Sequence, residues 1–299
     1  MVTGRRKKIA EDAEDVIVKL VSYVFITLLG LVCLYPYLNV VAKSFSSSDV
    51  VNRGLVNGIF PKDFSTESYG MVFNSSRFVN AFMVTVYVTL AGTFVNTLLT
   101  IFTAFTVSRK NLPGSRLIMF LFIFSMLFSG GMIPTFLVVV GAGLRNNLWS
   151  LIIPGLVSPF NLILMRSFFD TIPASLEESA LMDGADPFKV LFRIIIPLSM
   201  PSIATIVLFN AVGYWNTYFN AMIYIDKRDL ATLQIYLREL MLSLRDVERS
   251  GAIDDLIGLI ANDSLRGAAV FASTLPIIIV YPFLQKYFVK GMILGAVKE

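Results

Sequence analysis

The sequence contains no histidine and one cysteine, and charged residues are scarce. Asp, Glu, Lys and Arg make up 15% of the 299 residues, whereas about 25% is usual in soluble domains. Without histidine, the chain has no imidazole general base, no histidine metal ligand and no histidine-dependent catalytic triad. A lone cysteine excludes a disulfide framework and any multi-cysteine metal site. These absences argue against a hydrolase and against a metalloenzyme.

Apolar residues, by contrast, are in excess. They account for 56% of the chain, compared with about 45–50% in soluble domains, and the mean hydropathy is +0.72. Such an excess needs lipid to face, so the composition predicts a membrane protein. The formal net charge of +4 is too small to indicate binding to nucleic acid.

Six stretches are long and apolar enough to cross a bilayer, which takes about 20 residues in a helix. They are residues 18–41, 79–107, 117–140, 148–168, 194–225 and 267–289. The predicted fold is therefore all-α and polytopic, with six transmembrane helices. The predicted divisions are an N-terminal segment at 1–17, a transmembrane domain at 18–289 and a C-terminal tail at 290–299.

The positions of the charges predict the orientation. None of the 21 acidic residues lies in a proposed span, and the three basic residues that do, Lys19, Arg166 and Lys286, lie near span ends. If the termini are cytoplasmic, all three can reach the cytoplasmic headgroups. Further basic residues on that side are Arg5, Arg6, Lys7, Lys8, Arg109, Lys110 and Arg116. The positive-inside rule therefore places both termini in the cytoplasm.

Two spans are expected to be irregular, and one span holds the cysteine. Gly130, Gly131 and Pro134 predict a break in the third span. The fifth span is long enough to tilt or to begin before the bilayer. Cys33 lies in the first span, where it is expected to act as a small buried apolar residue.

Two long outer loops are predicted, at 42–78 and 226–266. The second contains apolar residues at helical spacing, namely Leu233, Leu237, Leu240, Met241 and Leu244. They predict an amphipathic helix that lies on the membrane surface or beneath a partner. Simple packing against the transmembrane helices is the alternative interpretation.

The inner loop at 169–193 carries several helix-capping signals. Ser175 and Glu178 fit a capping box that would start a helix. Gly184 suits the left-handed end of that helix, and Asp186-Pro187 suits the start of a second one. The loop therefore predicts two short helices around a glycine turn, placed to touch a cytoplasmic partner.

The same loop carries a spaced motif that resembles a known family. Glu178-Ser179-Ala180, three residues, Gly184, nine residues and Ile194-x-Ile196-Pro197 resemble the EAA signature of ABC-importer permeases, EAA-x3-G-x9-I-x-LP. Ser179 and Ile196 are conservative departures. Asp183-Gly184-Ala185 and Pro201 further resemble carbohydrate permeases related to the smaller subunit of the maltose permease. The stretches SGGMIPTFLVVVGAGLRNNLWSLIIPG and NAVGYWNTYFNAMIY are similar to the subgroup that imports complex oligosaccharides, which includes alginate-type permeases.

The resemblance implies a type I ABC-importer transmembrane domain in a bacterial cytoplasmic membrane. It implies that the inner loop forms coupling helices that dock on a cytoplasmic ATPase. The implied docking residues are Glu178, Ser179, Ala180, Asp183, Gly184, Ala185 and Pro197. Glu178 could cap its own helix, pair with a basic residue of the ATPase, or do both.

The resemblance also implies a set of partners. These are a second, homologous permease that completes a heterodimer, two copies of the ATPase, an extracytoplasmic solute-binding protein and a sugar substrate. The chain has no G-x-x-x-x-G-K-[ST] loop. ATP and Mg are therefore expected on the ATPase, with no cofactor and no metal on this chain.

A sugar pathway needs aromatic faces and neutral hydrogen-bonding groups, and the fifth span supplies a cluster of both. The cluster is Asn210, Tyr214, Trp215, Asn216, Tyr218 and Asn220. It could line the pathway, or it could form an aromatic belt at the outer membrane interface. Asn96 and Asn161 are isolated in their spans, where interhelical hydrogen bonds are expected. Arg145, Lys227 and Arg228 could steer an acidic passenger, although ordinary solvated charge also explains them.

Two other classes of protein are the alternatives. A stand-alone secondary transporter or channel often places acidic residues at the bilayer midplane, and none lies in a proposed span here. A sodium-coupled transporter whose ion site is built from carbonyl oxygens stays open as an alternative. An intramembrane enzyme is disfavoured because the sequence has no histidine and no acidic pair within a proposed span. The predicted function is a non-catalytic permease subunit that moves sugar inward by alternating access.

Overall fold

The computed structural model describes residues 13–109, 112–250 and 263–296. The basic residues at 5–8 and at 110, which contribute to the predicted orientation, lie outside these ranges. Within the described ranges the regular structure is helical, apart from an isolated antiparallel bridge between Ser46 and Phe64. The all-α prediction is confirmed.

The described ranges contain fourteen α-helices. In chain order they are α1 (Ala13–Ser44), α2 (Ser48–Asn52), α3 (Glu67–Asn74), α4 (Ser76–Ser108), α5 (Ser115–Leu127), α6 (Met132–Gly141), α7 (Pro159–Phe169), α8 (Ala174–Met182), α9 (Pro187–Val190), α10 (Ile196–Leu198), α11 (Met200–Trp215), α12 (Phe219–Tyr224), α13 (Leu233–Ser250) and α14 (Asp263–Ala296). Short 3-10 turns lie at Leu148–Leu151, Ile153–Gly155 and Arg228–Leu230, and a π turn lies at Leu191–Ile195.

Three described helices are long and apolar enough to span a membrane individually. They are Val16–Ser44 within α1, Ser76–Ser108, which is α4, and Asp263–Phe283 within α14. Three bent pairs of helices also qualify, which gives up to six crossings. The structure thus matches the predicted number of spans when each bent pair is counted as one.

The bends coincide with glycine and proline. α5 and α6 meet at 119°, at the break expected from Gly130 and Gly131. The fourth stretch was expected to be one helix, but Leu148–Gly155 meets α7 at 51°, next to Pro154 and Pro159. The segment before α11 meets it at 83°, between Pro197 and Pro201. Proline lacks the backbone donor and clashes with the preceding turn, which explains why these stretches are divided.

The chain forms two compact units. One comprises Met1–Val72 with Ala252–Phe271, and the other comprises Phe73–Gly251 with Ala272–Glu299. In the first unit, the end of α1 and the loop after it contact the start of α14. Lys43 Nζ lies 3.4 Å from Asp263 Oδ2. The Ser264 hydroxyl donates to the carbonyl oxygen of Ser46 at 3.0 Å.

Gly267 is the point of close approach between α14 and α1. A Cβ at this position would lie 2.8 Å from the carbonyl oxygen of Val40 and 3.2 Å from the backbone nitrogen of Ser44. Backbone atoms cannot swing aside, so Gly267→Ala is expected to lower the melting temperature by several degrees, in line with an overpacking cost of ~1–3 kcal/mol. Thermal unfolding of the detergent-purified protein measures this. Gly30→Ala is the control, since a Cβ at Gly30 meets no atom within 4 Å; equal melting temperatures for the two variants would contradict the close packing.

Most of α1 presents apolar side chains that no described residue covers. Its large hydrophobic residues from Val16 to Tyr35 are exposed. A helix of this composition needs lipid or a second protein against it. Cys33, expected to be buried, is exposed on this helix. That prediction was wrong because α1 packs on its own unit only near its C-terminal end.

α4 is the centre of the second unit, since it contributes to two buried apolar clusters. One includes Ile101, Ala104, Leu162, Met165 and Ile206. The other includes Val84, Val88, Ile152, Tyr214 and Ala221. Between its contributions to the two clusters, α4 buries Asn96, Thr97 and Thr100. A polar layer therefore separates two apolar ones, and this layer positions the candidate site.

The amphipathic helix predicted in the second outer loop is present as α13. Leu233 is buried, and its N–H donates to Thr85 Oγ1 on α4 at 2.8 Å. The ring of Tyr236 lies edge-on to Phe78 of α4, with centroids 5.7 Å apart. The first turns of α13 thus pack on a predicted transmembrane helix, as in the alternative interpretation. Residues 251–262 of this loop lie outside the described ranges.

Candidate functional site

A cavity of about 540 Å³ opens between α4, α7 and α11 at the polar layer. The polar side chains that line it are Asn96, Ser158, Asn161, Asn210, Tyr214, Thr217 and Asn220. Leu151, Phe160 and Phe209 supply apolar lining. None of the lining residues is charged. The cavity therefore suits a ligand with neutral hydrogen-bonding groups better than an ion.

Asn210 joins the three helices that build the cavity. Its amide nitrogen donates to Asn96 Oδ1 at 3.0 Å and to Thr97 Oγ1 at 3.1 Å, both on α4. Its amide oxygen accepts a hydrogen bond from Asn161 Nδ2 on α7 at 3.0 Å. Thr100 Oγ1 also donates to Asn96 Oδ1, at 3.2 Å. Because these buried amides satisfy one another, they fix the relative positions of α4, α7 and α11.

Tyr214 follows Asn210 by one turn on the same face of α11. Asn96 Nδ2 donates to the Tyr214 hydroxyl at 3.3 Å and to the carbonyl oxygen of Gly155 at 2.9 Å. The ring lies against Gly92, where a Cβ would approach Tyr214 Cζ to 2.8 Å. Glycine at position 92 therefore allows the ring to reach α4.

Three of the six residues predicted to line a sugar pathway do line this cavity. They are Asn210, Tyr214 and Asn220. Trp215 is buried on another face of α11, with its ring edge-on to Phe82 at 5.9 Å. Its indole N–H donates to the carbonyl oxygen of Ser273 at 3.2 Å. Trp215 therefore packs between helices and does not line the cavity.

Asn216 and Tyr218 lie beyond the end of α11 and contact α13. Gln234 Nε2 donates to Asn216 Oδ1 at 3.4 Å. The guanidinium of Arg238 lies 5.5 Å from the centroid of the Tyr218 ring. The structure thus places these two residues beside the second outer loop, and their contact with a substrate stays a prediction.

The interhelical hydrogen bonds expected of Asn96 and Asn161 are present. The sequence interpretation missed Gly92, Thr97 and Thr100, which hold the same layer together. Gly92, Asn96 and Thr100 recur every four residues in an otherwise apolar span. That spacing places them on one helix face, and it is the signal that could have identified this face as the polar one.

The inner loop forms the predicted pair of short helices. α8 begins immediately after Pro173, whose carbonyl oxygen accepts a hydrogen bond from the N–H of Leu176 at 3.1 Å. No side chain caps this end. The predicted capping box of Ser175 and Glu178 is therefore wrong. Ser175 already lies in the first turn, where its backbone is helical and cannot act as the N-cap.

The glycine turn after α8 has the predicted conformation. Gly184 has φ +80, and its N–H donates to the carbonyl oxygen of Leu181 at 3.0 Å. The N–H of Ala185 donates to the carbonyl oxygen of Ala180 at 2.9 Å. These two bonds form a Schellman motif, which satisfies the last carbonyl groups of the helix.

α9 begins as the sequence predicts. Asp186 is its N-cap, and its Oδ1 accepts the N–H of Lys189 at 2.8 Å. This hydrogen bond is the main cause that lowers the pKa of the Asp186 carboxyl. Pro187 takes the first helical position. Pro197 is exposed at the bend before α11.

An ion pair that the sequence did not reveal links α8 to α4. Arg109, the residue after α4, pairs with Glu177 of α8. The Arg109 guanidinium also lies 3.9 Å from the centroid of the Phe105 ring. Partial burial lowers the pKa of Arg109, but the guanidinium starts so high that it stays charged at neutral pH. Glu178, which the motif singled out, is exposed and pairs with none of the described residues.

α8 and its surroundings present apolar side chains to solvent. Leu176, Leu181, Met182 and Phe188 are exposed, Met182 to 88%. Ser179, Asp183 and Gly184 are exposed as well, whereas Ala180 and Ala185 pack partly against the apolar cluster at the end of α4. A group of exposed apolar side chains is typical of a surface that binds another protein.

The basic residues proposed to steer an acidic passenger have different surroundings. Arg145 is paired with Asp226, with Nη2 to Oδ2 at 2.9 Å and Nε to Oδ2 at 3.0 Å. Lys227 and Arg228 are exposed. Arg145 is thus already neutralised, while the other two remain accessible to an anion.

The sequence of this chain is similar to those of known proteins. The family profile described as "Binding-protein-dependent transport system inner membrane component" matches residues 96–294. The polygalacturonan/rhamnogalacturonan transport system permease protein YtcP of Bacillus subtilis (strain 168) is 40% identical over 92% of this chain and 96% of its own length. Protein LplC of the same organism is 40% identical over 93% of each chain.

A solved structure agrees with the sequence matches. One chain in the crystal structure of a bacterial ABC transporter involved in the import of the acidic polysaccharide alginate superposes with a TM-score of 0.83. The two chains are 34% identical, and the match covers 92% of this chain and 98% of that one. The resemblance found in the spaced motif is confirmed. The chain belongs to the family of binding-protein-dependent transport system inner membrane components, the permease subunits of ABC importers.

Proposed function

We propose that this chain conducts an oligosaccharide through a bacterial cytoplasmic membrane, as one permease subunit of an ATP-driven importer. The uncharged polar cavity carries the proposal. Sugar hydroxyls both donate and accept hydrogen bonds. The exposed amide of Asn220 offers both kinds of partner, and the amide oxygen of Asn210 has a second lone pair for a sugar hydroxyl. The Tyr214 ring adds an aromatic face on which a sugar ring can lie.

The passenger we propose is an oligosaccharide derived from an acidic polysaccharide. The named substrates of two relatives, polygalacturonan/rhamnogalacturonan and alginate, support this class. The cavity offers groups for the hydroxyls and no charge for the carboxylates. Lys227 and Arg228, exposed in the second outer loop, can attract uronate groups before the sugar enters.

The proposed assembly has two permeases, two copies of a cytoplasmic ATPase and an extracytoplasmic solute-binding protein. The exposed apolar face of α1 needs lipid or a second subunit. Leu181, Met182 and Phe188 offer an apolar contact to the ATPase, and Glu178 and Asp183 add negative charge beside them. ATP and Mg would bind to the ATPase, which leaves this chain without catalytic work.

In the proposed mechanism, movement of α8 and α9 with the ATPase opens the cavity alternately to the two sides of the membrane. Both termini and the loop that contains α8 lie in the cytoplasm in this arrangement, and the loop that contains α13 faces the binding protein. The Schellman turn at Gly184 keeps α8 and α9 at a fixed angle. A displacement of α8 by the ATPase would therefore move α9 with it.

The turn at Gly184 provides a direct test. Proline cannot adopt φ +80 and has no N–H to donate to Leu181, so Gly184→Pro is expected to abolish ATP-driven uptake in vesicles. Gly143→Pro is a matched control. Gly143 has φ +71, and its N–H donates to the carbonyl oxygen of Val140 at 2.9 Å in the same kind of helix end.

The comparison separates coupling from local damage. We expect Gly143→Pro to retain ATP-dependent uptake, since its turn lies between α6 and the following 3-10 turn. Uptake that survives Gly184→Pro and needs no ATPase would favour a stand-alone secondary transporter.

A second experiment tests the class of passenger. Uptake is measured against a panel of neutral and uronate oligosaccharides, with the binding protein present. Transport of neutral sugars alone would reject the acidic class.

A further inference from the structure

The ion pair between Arg109 and Glu177 differs from the other ion pairs of the described residues. Both of its side chains are largely covered, with 26% of Arg109 and 24% of Glu177 exposed. In each of the others, at least one partner is 43% exposed or more. Partly buried pairs are screened less by salt and water than exposed ones. This pair can therefore hold two elements together.

Arg109 is held in place before it meets α8. Its guanidinium stacks on Phe105, one turn back on α4, at 3.9 Å from the ring centroid. This cation–π contact limits the positions that the long side chain can take. A displacement of Glu177 is therefore passed to the end of α4 and is not absorbed by side-chain rotation.

α8 has few other attachments to the membrane helices. None of its residues is buried, and a cavity of about 710 Å³ lies between it and the ends of α4 and α7. Ala180 packs partly against the apolar cluster beside it. Across this open space, the ion pair is a direct polar contact between α8 and the residue that follows α4.

α4 connects the ion pair to the polar cavity. Asn96 and Thr97, which bond to Asn210 in the polar cavity, lie on α4, whose last residue directly precedes Arg109. The distance along the helix is roughly 20 Å at ~1.5 Å per residue. We propose that Arg109 and Glu177 form the link that transmits movement of α8 to the cavity through α4. Both are positioning residues, and neither needs to touch the ATPase or the sugar. The inference rests on the proposed function, since it requires that an ATPase moves α8.

The test uses the complete importer in liposomes, with its second permease, ATPase and binding protein. The variants are Glu177→Gln, Arg109→Gln and the charge exchange Arg109→Glu with Glu177→Arg. Each is measured for retention of the ATPase, for ATP hydrolysis stimulated by the binding protein, and for sugar transported per ATP hydrolysed. Asp170→Asn is the control, since Asp170 pairs within its own turn with Arg166, at 3.6 Å.

We expect each single variant to retain the ATPase but to transport about fivefold less sugar per ATP, the lower limit of typical coupling effects. The charge exchange is expected to recover much of the loss, and Asp170→Asn to behave like the unaltered chain. Single variants with unchanged transport per ATP would overturn the inference, as would single variants that lose the ATPase, because the pair would then only build the docking surface. If the unaltered chain does not retain the ATPase or does not need ATP, the proposed function itself fails.

Discussion

Gly92→Ala is expected to reduce sugar transport by an order of magnitude or more while the importer still assembles. The new methyl group would lie 2.8–2.9 Å from three atoms of the Tyr214 ring, so the ring must leave α4. The open direction is the cavity of about 540 Å³ that Tyr214 already lines. The displaced ring would break its hydrogen bond with Asn96 and obstruct the space proposed for the sugar. Forcing extra volume into packed helices also costs ~1–3 kcal/mol.

The measurement is uptake by reconstituted importer, with assembly checked by copurification of the second permease. Gly141→Ala is the matched control on α6, since a Cβ at Gly141 meets no atom within 4 Å. The double variant Gly92→Ala with Tyr214→Ala separates the causes. If the Tyr214 ring is the obstruction, this double variant transports no less than Tyr214→Ala alone, as expected for residues that act through one contact. Additive losses would show that Gly92 matters for another reason.

The membrane character and the helical fold could be predicted from sequence because both depend on composition averaged over long stretches. The divisions within the fourth and fifth stretches could not. Pro154 and Pro201 do not fix these divisions by themselves, because proline bends a helix by an amount that depends on what packs beside it. Gly130-Gly131 does predict a break, because two consecutive glycines lower helix stability regardless of their neighbours.

The inner loop shows how far local signals reach. The sequence predicts the roles of Gly184 and Asp186, since a left-handed helix end and an N-cap are set by a few adjacent residues. The capping box at Ser175 failed because Pro173 starts the helix two residues earlier. The pairing of Glu177 with Arg109 could not be foreseen. Successive helical residues point about 100° apart, and the sequence does not reveal which of two adjacent glutamates faces the end of α4.

The sequence predicts the candidate site only in part, because it shows which side chains need a partner but not which helices lie together. A lone amide in lipid needs a partner, so Asn96 and Asn161 were expected to bond across helices. That the common partner is Asn210 depends on the register of α4, α7 and α11, which follows from packing and not from any one span. Residues 210 and 214 share a face with 217, whereas Trp215, next in sequence to Tyr214, faces away from the cavity.

Asn210→Leu is the second substitution expected to have a large effect, because one side chain joins all three helices of the cavity. Its loss leaves Asn161 Nδ2 without its acceptor and deprives Asn96 and Thr97 of a donor. A buried polar group without a partner costs about 1–3 kcal/mol, although single interhelical hydrogen bonds in membranes average nearer ~0.6 kcal/mol. We expect a loss of transport that exceeds the loss of stability, since leucine also replaces a sugar-facing amide with an apolar surface.

A melting curve and an uptake assay on the same preparation separate these two effects. Asn39→Leu is the control: it also removes an amide from a helix, but one whose single hydrogen bond, to the carbonyl oxygen of Gly58, is exposed. Asn210→Gln adds the third comparison, since it keeps the amide and lengthens the side chain by one methylene. If the amide itself serves the sugar, Asn210→Gln retains more transport than Asn210→Leu at a similar melting temperature. Equal transport by the two variants would mean that Asn210 holds the helices together without contacting the passenger. The sugar-binding surface would then have to lie on less buried members of the lining, such as the half-buried Thr217 and the exposed Asn220.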